Sequence, residues 1–82
     1  MKAIKVKYRK LGKEQADGIA YTKSRIIEID ERLEGHDHLS VIIHEMTHIL
    51  QPHLDEDYVA MIEKEMMKVL RKEGVWIKKK IK

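Results

Sequence analysis

Eighty-two residues without a cysteine make one domain near the lower size limit for folding on its own core, with no disulfide and no thiolate ligand open to it. Phenylalanine is absent and tryptophan occurs once, so the core is aliphatic, and stability must come from packing, a bound metal or a partner. The net charge of +3 is modest, and nothing approaches the ~20 apolar residues of a membrane span.

The first seven residues are positive but hold no continuous apolar run, which speaks against a secretory signal and for a cytoplasmic protein. The basic residues gather in 2–13 and 78–82. Such blocks are ordinarily solvated surface; contact with nucleic acid or another acidic polymer is the sharper reading.

Residues 3–8 alternate apolar and charged side chains and predict a half-buried strand. A polar loop follows over 12–18. Residues 19–22 form a second short strand and 25–30 a third, with Ile27 and Ile29 on one face and Lys23-Ser24 as a tight connection. Residues 31–37 are a polar loop in which Asp37 is placed to cap a helix.

That helix is expected over 38–51, stopped by Pro52. Leu39, Ile42, Ile43, Met46, Ile49 and Leu50 follow the three-four spacing of a buried stripe. A second helix begins at the cap Asp55 and ends at Gly74. Its stripe is Val59, Ile62, Met66, Val69 and Leu70, with Met61, Met66 and Met67 read as core filler. Val75-Trp76-Ile77 packs as a tail and 78–82 frays. The expected fold is α+β in a single domain over 1–82: a small three-stranded sheet packed against one helix and a second, C-terminal helix.

The first helix carries His44-Glu45-Met46-Thr47-His48. Two histidines four residues apart stand one above the other on a helix. They can share one zinc ion at about 2.0–2.1 Å from each nitrogen. Glu45 follows the first ligand directly and swings its carboxylate to the side where a water would lie. Both histidines fall roughly opposite the apolar stripe. The bland reading, two unrelated surface histidines, does not explain the glutamate between them.

Catalytic zinc usually takes three protein ligands. The candidates for the third are Glu56, His53, Asp55 and Asp57. An antiparallel helix pair across the Pro52 turn brings Glu56, three residues before the core position Val59, back towards His48. Asp55 is more readily spent as a cap, Asp57 points further from the stripe, and His53 follows the proline. Glu63 replaces Glu56 if the pair is offset by a turn. The run Asp55-Glu56-Asp57 also suits a helix start electrostatically, without any metal.

With these residues in place the sequence resembles a zincin metallopeptidase of minimal size. It is similar to the small single-domain metallopeptidases of phage and prophage sequences, loosely related to the SprT-like and ImmA/IrrE-like groups. The resemblance runs from residues 19–30 through His44-Glu45-Met46-Thr47-His48 to the Asp55-Glu56-Asp57 helix start. In the gluzincin pattern the third ligand is a glutamate on the next helix, which Glu56 matches. The metzincin pattern fails, since Gln51 and Leu54 stand where its glycine and third histidine would be.

The resemblance implies zinc-dependent peptide-bond hydrolysis of a peptide or protein substrate. His44, His48 and Glu56 would be the ligands and Glu45 the general base. Tyr21, Tyr58 or His53 could donate to the developing oxyanion. Two rivals stand beside this reading. One is a non-catalytic, metal-stabilised binding module contacting a protein or nucleic acid. The other, from the ImmA-like resemblance, is a regulator that cleaves a single repressor-like partner.

Overall fold

The computed structural model describes residues 2–74. Its elements are β1 (Lys5–Arg9), a 3-10 turn (Gly12–Glu14), β2 (Gly18–Tyr21), β3 (Ile26–Asp30), α1 (Gly35–Leu50) and α2 (Glu56–Lys72). This is the expected α+β layout. The sheet order is β1-β3-β2, with β3 central, parallel to β1 and antiparallel to β2. The turn joining β2 to β3 is wider than the expected two residues. It occupies 22–25 and places Arg25 at φ 57°, a conformation that Asn-Gly would have supplied at lower cost.

Pairing fixes which side chains share a face. Ile27 and Ile29 lie level with Val6 and Tyr8 on one side and with Ala20 and Gly18 on the other. α1 covers this face. Ile27, Ile29 and Ile49 are buried together, with Ile4, Ala20, Leu33, Val41, Ile42 and Met46 packed around them. α1 rests on β2 and β3, so β1 lies beyond its reach. Every β1 residue is exposed, and the half-buried strand expected there is an exposed edge. Tyr8 ties it to α1: its Oη and His38 Nε2 lie 2.9 Å apart.

Asp30 ends β3 as a buried carboxylate. It accepts from the Arg32 guanidinium at 2.7 and 3.0 Å, from the Arg32 backbone N–H at 2.9 Å and from the Leu11 N–H at 3.3 Å. These donors hold its carboxyl below the usual range. They also bind the loop containing the fully buried Leu11 to the sheet.

α1 starts three residues earlier than the expected 38. Its N-cap is Glu34, which makes no side-chain capping bond, and Asp37 lies inside the first turn. There its charge still meets the positive end of the helix. The helix ends at Leu50, with Gln51 closing onto Thr47 before Pro52. α2 begins as expected, with the Asp55 carboxylate accepting from the Tyr58 N–H at 3.0 Å.

α2 packs on α1, but through a face rotated from the expected stripe. Of that stripe Val59 is buried and Ile62 and Leu70 are half-buried, and Met67 is buried beside them, whereas Met61 and Met66 are each 46% exposed and Val69 59%. Leu50 of α1 is also half exposed. The seam row is Glu56, Val59, Glu63 and Met67, which places two carboxylates between the helices. Residues 75–82, where a packed tail was expected, lie outside the described residues. Among the described residues no helix is long and apolar enough to cross a membrane.

Candidate metal centre

α1 presents His44 and His48 away from the sheet core, with ring centroids 5.0 Å apart. The first turn of α2 returns beside them, as an antiparallel pair requires. Glu56 then spans both rings: its Oε2 lies 2.8 Å from His44 Nε2 and its Oε1 2.9 Å from His48 Nε2. One nitrogen from each imidazole and one Glu56 oxygen all lie within 4.8 Å of one another. Two imidazoles and a carboxylate are the donor types and number of a catalytic zinc site, so the residues fit the ion.

Glu63 does not join that group. It lies 2.8 Å from His44 Nδ1 and accepts a hydrogen bond from Ser40 Oγ through its other oxygen. A carboxylate on the second ring nitrogen fixes the imidazole's orientation and tautomer and leaves Nε2 to face the ligand group. Both His44 nitrogens lie against carboxylates, which favours the charged ring. Burial works to lower its pKa, but the bond from Glu63 and the charges of Glu56, Glu45 and Glu63 outweigh it and the net shift is upward.

Glu45 is buried. It sits between α1 and the start of β2. Gly18 makes room for it: a Cβ there would stand 2.6 Å from Val41 Cγ1 and 2.9 Å from Glu45 Cγ. Burial raises the Glu45 pKa above the usual carboxylate value. His44 and His48 pull it down, Glu56 and Glu63 push it up, and the net is a rise.

Gly18, Ile19, Ala20 and Thr22 face His44, Glu45, His48 and Glu56 across a hollow of about 420 Å³. A second hollow, of about 230 Å³, continues past Asp17, Val41 and Glu63. Among the described residues β2 is therefore the sheet edge beside the histidines. Of the alternative third ligands, Asp55 is the cap, Asp57 and His53 are exposed, and none of the three joins the cluster. Tyr21 bonds Glu28 at 2.9 Å on the opposite sheet face, and Tyr58 lines a separate hollow with Asp57 and Met61. The hydroxyl on the hollow's lining is that of Thr22, which the sequence reading did not single out.

Ser40 is absent from the sequence expectations and Glu63 enters them only as a substitute ligand, yet spacing alone carries the support role of both. Ser40 is one turn before His44, and Glu63 is two turns after Glu56. Comparison with family models, with curated proteins and with solved structures returned no match, so the functional reading stands on this geometry and on the motif.

Proposed function

We propose that the protein is a zinc-dependent metallopeptidase, with the ion held by His44, His48 and Glu56 and with Glu45 as the general base. The observation that carries the reading is the convergence of both imidazole Nε2 atoms on Glu56, with a buried, pKa-raised glutamate on the same hollow. When bound, zinc supplies a Lewis acid and lowers the pKa of water towards ~7.

The protein's own residues do the rest. Glu45 takes a proton from the attacking water through a carboxylate oxygen. The water oxygen bonds to the scissile carbonyl carbon. As the C–N bond breaks, Glu45 returns the proton to the leaving nitrogen. A carboxyl whose pKa is raised by burial is suited to both halves of that transfer. Among the described residues β2 pairs with β3 alone, so its outer edge can take an extended substrate by strand addition beside the histidines. Glu63 and Ser40 orient His44.

The test begins with metal analysis of protein purified without added metal or chelator, with His44→Ala alongside. Near one zinc per chain, lost in the variant, is expected. Peptide-library hydrolysis by the wild type, abolished in Glu45→Gln with zinc retained, completes it. A folded wild type that takes up no zinc, or hydrolysis indifferent to Glu45→Gln, would overturn the reading.

A further inference from the structure

Charge is divided between the two halves of this fold. Residues 2–33 carry nine Lys and Arg against five Asp and Glu, whereas residues 34–74 carry four against nine. The acidic half holds the histidine cluster. The basic half is the sheet, and its carboxylates are already engaged where the cations are densest. Arg9 pairs with Glu14 at 3.3 Å and with Glu28 at 2.9 Å, and Arg32 pairs with Asp30 at 2.7 Å. Among the described residues Lys5, Lys7, Lys10 and Lys13 take part in no ion pair.

These cations are ordered along the fold. Lys5, Lys7 and Arg9 alternate along the exposed edge strand β1, about 6.6 Å apart along one face. The row leads into a hollow formed by Lys10, Gly12, Lys13 and Arg32. The face they occupy is the one α1 does not cover. Strand register sets transverse rows on it: Lys5 lies level with Ile26 and Ile26 with Tyr21, and Lys7 lies level with Glu28 and Glu28 with Ile19. Each row begins with a cation at the β1 edge and ends with an apolar or aromatic side chain at the β2 edge; the second passes over Glu28, whose charge is already paired with Arg9. Tyr21 is 41% exposed, and its hydroxyl is pinned by Glu28.

From this placement we infer that the open sheet face binds single-stranded nucleic acid, with phosphates along the β1 edge and bases over Ile26 and Tyr21. A cationic track for the backbone beside an aromatic platform for the bases is the combination that sequence-tolerant single-strand binding uses. An acidic peptide would match the track but would leave Ile26, Tyr21 and Ile19 unused. A duplex would keep its bases from the platform. The inference is independent of the peptidase reading, because the face lies on the other side of the sheet from α1.

The test is fluorescence anisotropy of a labelled fifteen-nucleotide oligothymidylate with the full chain. Binding at 50 mM salt is expected. If three to four phosphates are neutralised, affinity falls about 20- to 50-fold between 50 and 200 mM salt. Lys5→Glu with Lys7→Glu weakens binding at least tenfold, and Lys5→Gln with Lys7→Gln weakens it in the same direction. Loss of those two contacts flattens the slope of log affinity against log salt by about 1.4. Tyr21→Ala weakens binding about fivefold or more. Metal content stays at the wild-type value in every variant.

Four results would overturn the inference: no binding at 50 mM salt, full affinity in the charge-reversed protein, tighter binding to a duplex of equal length, or equal competition by polyglutamate.

Discussion

Glu63 separates the proposed site from its alternatives most sharply, because two roles were open to it and the geometry supports only one of them. Its carboxylate stands 2.8 Å from His44 Nδ1 and accepts from Ser40, while Glu56 alone spans the two Nε2 atoms. Glu63→Gln keeps the length of the side chain and one acceptor oxygen. It removes the charge, and it turns the contact with Ser40 from one in which the serine donates into one in which it must accept. Glu63→Ala removes both contacts.

Loss of a supporting partner of a metal-bound histidine costs about 10- to 100-fold in affinity, or ~1.4–2.8 kcal/mol. The glutamine variant, which keeps an acceptor for Nδ1–H, belongs at the lower end and the alanine variant at the upper. Glu56→Ala loses a ligand and should fall below both. The assay is zinc competition against a chromophoric chelator at fixed pH, with circular dichroism to confirm folding. If zinc stoichiometry collapses in Glu63→Gln and survives in Glu56→Ala, the roles are exchanged and Glu63 is the ligand. If affinity is unchanged in both Glu63 variants, the orienting role is wrong.

Gly18→Ala forces a Cβ to 2.6 Å from Val41 and 2.9 Å from Glu45. Overpacking of this kind should cost about 1–3 kcal/mol and displace Glu45, the proposed general base; urea titration would read the first effect. Hydrolysis lost at unchanged zinc content would read the second, and full activity would show that β2 need not approach α1 so closely. Asp30→Asn removes a carboxylate whose native pKa is held down by Arg32 and backbone N–H groups. Such a group stabilises the fold above its unfolded pKa of about 3.9 and loses that contribution as pH falls towards the native value. The variant should therefore be less stable at pH 7, by urea midpoint, and the gap should narrow below about pH 4; a gap that widens on acidification contradicts the account.

The candidate site was legible because its geometry is local. His44 and His48 lie one turn apart, and their relation holds wherever α1 packs. Glu56 needed one further step, the short turn at Pro52 that folds α2 back antiparallel. What spacing could not settle is rotation about the α2 axis. Apolar residues at 59, 62, 66, 67, 69 and 70 form a stripe broad enough for several packings. Val59 and Met67 become the buried pair, in a rotation that also brings Glu56 and Glu63 to the imidazoles. Strand order was hidden for a similar reason. The β2–β3 hairpin follows from short sequence separation, but β1 joins β3 in parallel across an intervening strand. Its alternation looked like a buried face because a strand beyond the covering helix keeps the same period as one beneath it.

The seam between the helices is built from few parts, and the site supplies a large share of them. Val59 and Met67 are the buried apolar side chains of α2. The polar contacts across the seam are those of Glu56 with the two histidines and of Glu63 with His44 and Ser40. Three carboxylates, Glu45, Glu56 and Glu63, thus crowd two imidazoles. With the imidazoles neutral, the carboxylates repel one another with no positive charge between them. A bound cation between them offsets that repulsion, and the Glu45 pKa, raised by burial and then by Glu56 and Glu63, is one sign of it. In a domain with so small an apolar seam, the residues that would carry the chemistry also set how α2 sits on α1. Substitution of Glu56 should then disturb helix docking and metal affinity together, whereas substitution of Glu45, which lies against β2 and α1, should leave the docking intact.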